Sequence, residues 1–138
     1  MIGIVLAAHS MTLASAVKEV ADLMSRGSVP IAPVGGTGDP DSPFGSNPIA
    51  IAEAIQEVDS EDGVLVFTDV GSSVIGVVQA LEFLPDSTRG RVRLCPGPMV
   101  EGAVIAAAQA ASGSSMEMVF QDASNALQAK AAQMGGLE

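Results

Sequence analysis

A single histidine, His9, occurs in 138 residues, and Ser10 stands directly behind it at the end of an apolar run, Met1 to Ala8. Far along the chain Asp69 follows a second apolar run, Gly63 to Thr68, and precedes Gly71, Ser72 and Ser73. A carboxylate that accepts a hydrogen bond from one imidazole nitrogen fixes the tautomer and leaves the other nitrogen with a free lone pair. That second nitrogen is a nucleophile or a base. Gly71 to Ser73 open a helix, whose free N–H groups and positive dipole end favour a phosphate or another anion. Thr37 and Asp39 lie in a further polar cluster, the loop GGTGDPDSPFGSN from Gly35 to Asn47. Each group also has an ordinary use: a histidine closing a strand, an aspartate capping a helix, a serine at a helix start. What favours chemistry is that they all follow strand-like segments.

Those segments alternate with helical ones. Ile2 to Ala8 reads as a buried strand. Thr12 to Ser25 carries Leu13, Val17, Val20 and Met24 at helical spacing, with Gly27 as the stop. Val29 to Val34 is strand-like, and Pro30 and Pro33 place it at an edge. The Gly35–Asn47 loop is too long for a plain connector. Asn47 and Pro48 then start a helix that runs to about Val58. GVLVFT, Gly63 to Thr68, is a strand, and a helix is expected from about Ser73 to Leu84. Val92 to Cys95 is a short strand and Met99 to Ala111 an Ala-rich helix. Ser114 and Glu117 form a capping box for one last helix to about Met134. The spacing predicts one domain over residues 1–138, an α/β fold with a doubly wound, mostly parallel sheet of four to five strands and helices on both faces. In such a sheet the loops after the strands meet at one edge, so His9 and Asp69 are expected to meet there.

Composition removes several function classes. Sixteen acidic residues against six basic ones give a net charge of −10, which repels nucleic acid and anionic membranes and suits a partner with a basic face. Four Phe and no Trp or Tyr leave no platform for stacked bases. Cys95 is the only cysteine, so no internal disulfide forms, and a Cys/His zinc site would have only Cys95 and His9. No metal or cofactor is expected. No apolar run approaches the ~20 residues of a membrane span, and no basic segment precedes the first one, so the cytoplasm is the expected compartment. A serine hydrolase elbow fails, because Gly71-Ser72-Ser73-Val74-Ile75 lacks the closing glycine. A receiver domain would need acidic residues where Ala7 and Ala8 stand, and the dinucleotide fingerprint is missing after the first strand. A histidine that itself carries a phosphoryl group remains.

Four segments carry a resemblance: the opening strand with His9-Ser10, the loop from Asp39-Pro40 to Gly45-Ser46, LVFTDVGSS from Leu65 to Ser73, and VRLCPGPMVEGA from Val92 to Ala103. With them the chain resembles the mannose-type enzyme IIA family of the phosphoenolpyruvate-dependent phosphotransferase system, over nearly its whole length. It is most similar to the branch that serves dihydroxyacetone kinases. The sugar-transporting branch has Trp-Gly-Gly-Ser-Pro after the aspartate, where this chain has Val-Gly-Ser-Ser.

The resemblance implies roles. His9 would be phosphorylated on Nε2, with Asp69 on Nδ1, and Gly71, Ser72 and nearby amides would receive the phosphoryl oxygens. Ser10, Ser73 and Thr37 are further candidate phosphate ligands. The donor would be the histidine-containing phosphocarrier protein, expected as a separate protein. The acceptor would be ADP on the nucleotide-binding subunit of dihydroxyacetone kinase. The family is usually homodimeric, and the Ala-rich helix is a candidate dimer surface. The alternatives are a IIA component of a mannose-type sugar transporter and a regulatory module read out by phosphorylation.

Overall fold

The computed structural model describes residues 1–136. Its elements are β1 (Gly3–Ala8), α1 (Met11–Ser25), β2 (Ile31–Gly35), α2 (Pro48–Val58), β3 (Val64–Thr68), α3 (Gly71–Leu81), α4 (Asp86–Arg89), β4 (Val92–Leu94), α5 (Met99–Ala111), α6 (Met116–Ser124) and α7 (Ala126–Gly135). The strands form one parallel sheet in the order β2-β1-β3-β4. Pro33 sits in β2, an edge strand, where a missing N–H does least harm.

Side-chain alternation splits the core in two. Ile4, Leu6 and Ala8 of β1 and Leu65 and Phe67 of β3 face α1, α5 and α6. Val5, Ala7, Val64 and Val66 face α2 and α3, against Ile51, Ile55, Val77 and Ala80. Both faces of the central strands are covered, which is why they read as unbroken apolar runs. Among the described residues no helix is long and apolar enough to cross a membrane.

Several expectations change in detail. The helix foreseen from Ser73 to Leu84 begins at Gly71 and ends at Leu81, after which Asp86–Arg89 forms the short α4. The single last helix is two, because Asn125 (φ −96°, ψ 15°) leaves the helical conformation between α6 and α7. Its N-cap is Ser115 rather than Ser114: the Ser115 hydroxyl accepts from the Met118 N–H, and Glu117 instead pairs with Arg93. The Ala-rich α5 turns most of its alanines inward, leaving Val100 and Ala111 exposed. Its alanines Ala103, Ala106, Ala107 and Ala110 are buried, and it packs against α1 and α6. At Gly102 a Cβ would stand 2.6 Å from the Phe67 ring, so glycine lets α5 lie close on the sheet.

The order β2-β1-β3-β4 places the topological switch point between β1 and β3. The chain leaves β1 toward α1 on one face and leaves β3 toward α3 on the other, opening a crevice at the carboxyl ends of the two strands. At its rim Gly35 closes β2, and a Cβ there would lie 2.6 Å from the Ser10 carbonyl and 2.7 Å from the Met11 nitrogen. Backbone, not a flexible side chain, fills that space. Gly35→Ala is expected to cost about 1–3 kcal/mol in urea denaturation, because the clash must push the His9–Ser10 segment away from β2.

Candidate functional site

His9 follows the last residue of β1 and Asp69 the last residue of β3, so the two flank the switch-point crevice. They meet there. His9 Nδ1 lies 3.0 Å from Asp69 Oδ1 and 3.1 Å from Oδ2, and the His9 backbone N–H donates to Oδ2 at 3.0 Å. From the first turn of α3 the Ser73 hydroxyl donates to Asp69 Oδ1 at 2.6 Å, and its oxygen is 3.0 Å from His9 Nδ1. On the other side of the ring Nε2 contacts the Ser72 hydroxyl. The loop before α2 also reaches the site, where the Gly45 N–H donates to the His9 carbonyl at 3.1 Å.

The electrostatics follow from these bonds. Burial pushes the Asp69 carboxyl up. The His9 N–H, the Ser73 hydroxyl, the Val70 N–H and the imidazole together outweigh burial and hold the pKa at about 2. Asp69 is therefore an anion at neutral pH and only accepts hydrogen bonds. Ser73 spends its proton on Asp69, so its oxygen also only accepts from the ring. Both neighbours of Nδ1 require a proton on that nitrogen, and the lone pair falls on Nε2. Ser72 donates to that lone pair.

Nε2 faces the start of α3. The residue before that helix, Val70, offers no side-chain cap, and the N–H groups of Gly71 and Ser72 have no partner within the helix. Nε2 thus lies beside one hydroxyl and at the start of an 11-residue helix, a kind of helix end whose uncapped N–H groups and positive dipole suit an anion. The His9 side chain is 25% exposed and that of Asp69 12%, so the nitrogen is reachable while the carboxylate beneath it is sheltered.

Of the residues singled out from sequence, the structure gathers His9, Asp69, Ser72 and Ser73 around one ring, with Gly71 beside them. Ser10 and Thr37 have local duties. The Ser10 hydroxyl caps α1 by accepting from the Leu13 N–H, and the Thr37 hydroxyl donates to the Ser42 carbonyl within its loop. Sequence reasoning missed the donors from the His9, Val70 and Gly45 backbones. Every residue but proline carries an N–H, so nothing in residue type marks them. It also read Ser73 as a phosphate ligand, whereas the side chain is 1% exposed and lies against the carboxylate.

Asp69 binds its proton less tightly folded than unfolded, where its value is 3.8. It therefore stabilises the fold fully above about pH 4, by roughly 2 kcal/mol, and that contribution fades as pH falls from 4 through 2. Urea denaturation at pH 5 and pH 2.5 should show this loss in the native chain and a smaller loss in Asp69→Asn.

The model of the family EIIA-man, the PTS system fructose IIA component, matches residues 3–120. Relatives named PEP-dependent dihydroxyacetone kinase, phosphoryl donor subunit DhaM, are 39% identical in Escherichia coli and 38% in Klebsiella michiganensis, each over 98% of this chain. The chain spans 29% of the length of those two relatives. A relative from Listeria innocua, named PEP-dependent dihydroxyacetone kinase 2, phosphoryl donor subunit DhaM, is 33% identical over 91% of this chain and 98% of its own length. A crystallised protein of unknown function superposes with a TM-score of 0.75 at 30% identity, covering 90% of this chain and 93% of its own. With a family model that matches most of its length and relatives above 30% identity, this chain belongs to the EIIA-man family, that of the phosphotransferase-system fructose IIA component.

Proposed function

We propose that the chain is a phosphohistidine carrier of a phosphoenolpyruvate-dependent dihydroxyacetone kinase. His9 takes a phosphoryl group from the histidine-containing phosphocarrier protein and passes it to ADP on the nucleotide-binding subunit of the kinase. The observation that carries this reading is the ring held by Asp69 at Nδ1 with Nε2 turned toward the open start of α3. The shared name of the relatives supports the kinase branch.

The chemistry balances without a metal or an oxidant. The Nε2 lone pair attacks phosphorus while the phosphorus–nitrogen bond in the donor breaks and its electrons return to the donor imidazole. The proton on Nδ1 stays in place, and Asp69 offsets the positive charge that develops on the ring. Ser72 then turns its hydroxyl from Nε2 to a phosphoryl oxygen, and the Gly71 and Ser72 amides take the others. Ser73 positions Asp69. In the second transfer a β-phosphate oxygen of ADP attacks, the bond to Nε2 breaks, and the lone pair returns to the ring. Little covalent work is asked of the protein, so placement and charge dominate the rate. This traffic between proteins takes place in the cytoplasm. A role as a IIA component for a sugar transporter is the second reading, favoured by the fructose IIA description of the family.

The chain acts as a homodimer in this proposal, joined at the open edge of the sheet. β4 leaves that edge unpaired and half-buried, and the neighbouring helix α3 exposes Val74, Ile75 and Val78. Val78→Lys should halve the mass seen in sedimentation equilibrium if this surface joins the copies.

The transfer itself is tested with labelled phosphoenolpyruvate, the two general phosphotransferase proteins and the kinase subunits. Acid-labile label should reach the native chain and then dihydroxyacetone phosphate. His9→Ala should take up none, and Asp69→Asn should transfer about 10–100-fold more slowly, the size of loss known when a metal-ligating histidine loses its hydrogen-bonded partner. Label on the His9→Ala chain would move the site elsewhere. Label that stays on the native chain would favour the transporter reading.

A further inference from the structure

His9 stands beyond the sheet ladder on both sides. β1 pairs with β2 as far as Ala8 and Gly35, and with β3 as far as Ala7 and Thr68. The peptide groups of His9 must therefore find partners outside the sheet. The N–H finds Asp69 Oδ2 at 3.0 Å, and the carbonyl accepts from the Gly45 N–H at 3.1 Å. Gly45 lies in the loop that returns from β2 toward α2. The start of the same loop touches the same segment, because Gly35 packs against the Ser10 carbonyl. The loop thus grips the backbone around the histidine at both of its ends.

Gly45 can take that place because one residue holds the loop. Thr37 uses every polar group it has. Its N–H donates to the Pro43 carbonyl at 3.1 Å and its hydroxyl to the Ser42 carbonyl at 2.6 Å. The same hydroxyl accepts from the Asp39 N–H at 3.0 Å, and the Thr37 carbonyl accepts from the Asn47 side-chain amide at 3.4 Å. These bonds draw the outgoing limb of the loop against the returning one. Asn47 also caps α2, accepting from the Ala50 N–H at 3.2 Å, so the returning limb is anchored to a helix. The Thr37 methyl closes over Gly45. The backbone there has φ +148°, and a Cβ would stand 2.7 Å from Thr37 Cγ2. A side chain at this position would push Thr37 away and adopt a strained conformation.

We infer that Thr37 and Gly45 are positioning residues for the histidine: Thr37 holds the loop closed, Gly45 pins the His9 carbonyl, and the pinned peptide keeps the ring within reach of Asp69 and Ser72 at once. The role in transfer rests on the carrier reading above. With its N–H and carbonyl both tied, the His9 backbone cannot turn, and only the side-chain torsions are left for Asp69 and Ser73 to fix. Freed at the carbonyl, the peptide rotates, the N–H leaves Asp69 Oδ2, and Nδ1 moves with it. The bond at Nδ1 sets the tautomer. A loosened ring therefore spends part of its time protonated at Nε2, without the lone pair that the transfer needs.

The test separates the Thr37 hydroxyl from its shape. Thr37→Val keeps the branched side chain and loses the hydroxyl, and Thr37→Ser keeps the hydroxyl and loses the methyl. Each full chain is read by nitrogen-15 NMR of the His9 ring, at a pH where the ring is neutral, and by its rate of loading from phosphoramidate, a small donor that needs no protein contact. Thr37→Val should show both tautomers and load about 10-fold more slowly, while Thr37→Ser keeps the native spectrum and loads within about twofold of the native rate. Gly45→Ala should shift the spectrum in the same sense, with a larger loss. Native spectra and rates in Thr37→Val and Gly45→Ala would overturn the inference. So would a loss that Thr37→Ser shares with Thr37→Val, or a lowered urea midpoint with the native spectrum, which would make the two residues part of the fold alone. Should Gly45→Ala fail to fold, the two Thr37 variants decide. If phosphoramidate does not load even the native chain, the carrier reading falls, and the tautomer spectra still decide the positioning role.

Discussion

The hydrogen bond between the Asp69 carboxylate and His9 Nδ1 is the interaction on which the rest of the site depends. It decides which nitrogen carries the proton, and so which one carries the lone pair. It requires a carboxylate that stays ionised while sheltered from water. The fold meets that requirement with donors from three directions: the His9 backbone, the Ser73 hydroxyl and the Val70 backbone. Remove one and burial gains ground, raising the carboxyl toward protonation. The strand order matters for the same reason. Because β1 and β3 are neighbours with connections to opposite faces, the ends of two segments distant in sequence become adjacent, and the first turn of α3 is delivered to the ring.

Much of this was legible in the residues. The two apolar runs and the helical spacing between them announce a parallel sheet covered on both sides. His9 and Asp69 stand one residue past the strands that those runs form. What the sequence hid has a physical pattern. Backbone donors have no signature of residue type, so the N–H groups of His9, Val70 and Gly45 were invisible. The α6–α7 break at Asn125 was hidden because the surrounding residues are all compatible with helix, and only packing decides where the chain turns. Ser73 misled for a different reason. A serine in the first turn of a helix faces a ligand or the interior depending on helix phase, and one step separates it from Ser72, which faces the exposed nitrogen. Composition alone left the role of the Ala-rich α5 open. Small side chains suit a surface between copies, but here most of them let the helix lie close against Phe67 and under α1 and α6.

The charge of the chain and the bareness of the site belong together. A carrier that held a phosphoryl group with its own arginines would bind it tightly and release it slowly. Here the group would be held by two amides, a hydroxyl and a helix end, which stabilise an anion without trapping it. A phosphoryl group on an imidazole nitrogen is already a good leaving group, so a weak cradle suits two successive transfers. In the carrier proposal, the net charge of −10 disfavours partners of like charge.

The central claim is that the network places the proton on Nδ1 and the nucleophilic lone pair on Nε2. Nitrogen-15 NMR of the histidine, before and after phosphoryl loading, tests it directly. The account predicts that the neutral tautomer carries its proton on Nδ1, and that after loading a phosphorus–nitrogen coupling appears at Nε2. A ring protonated at Nε2, or a phosphoryl group found on Nδ1, would contradict it.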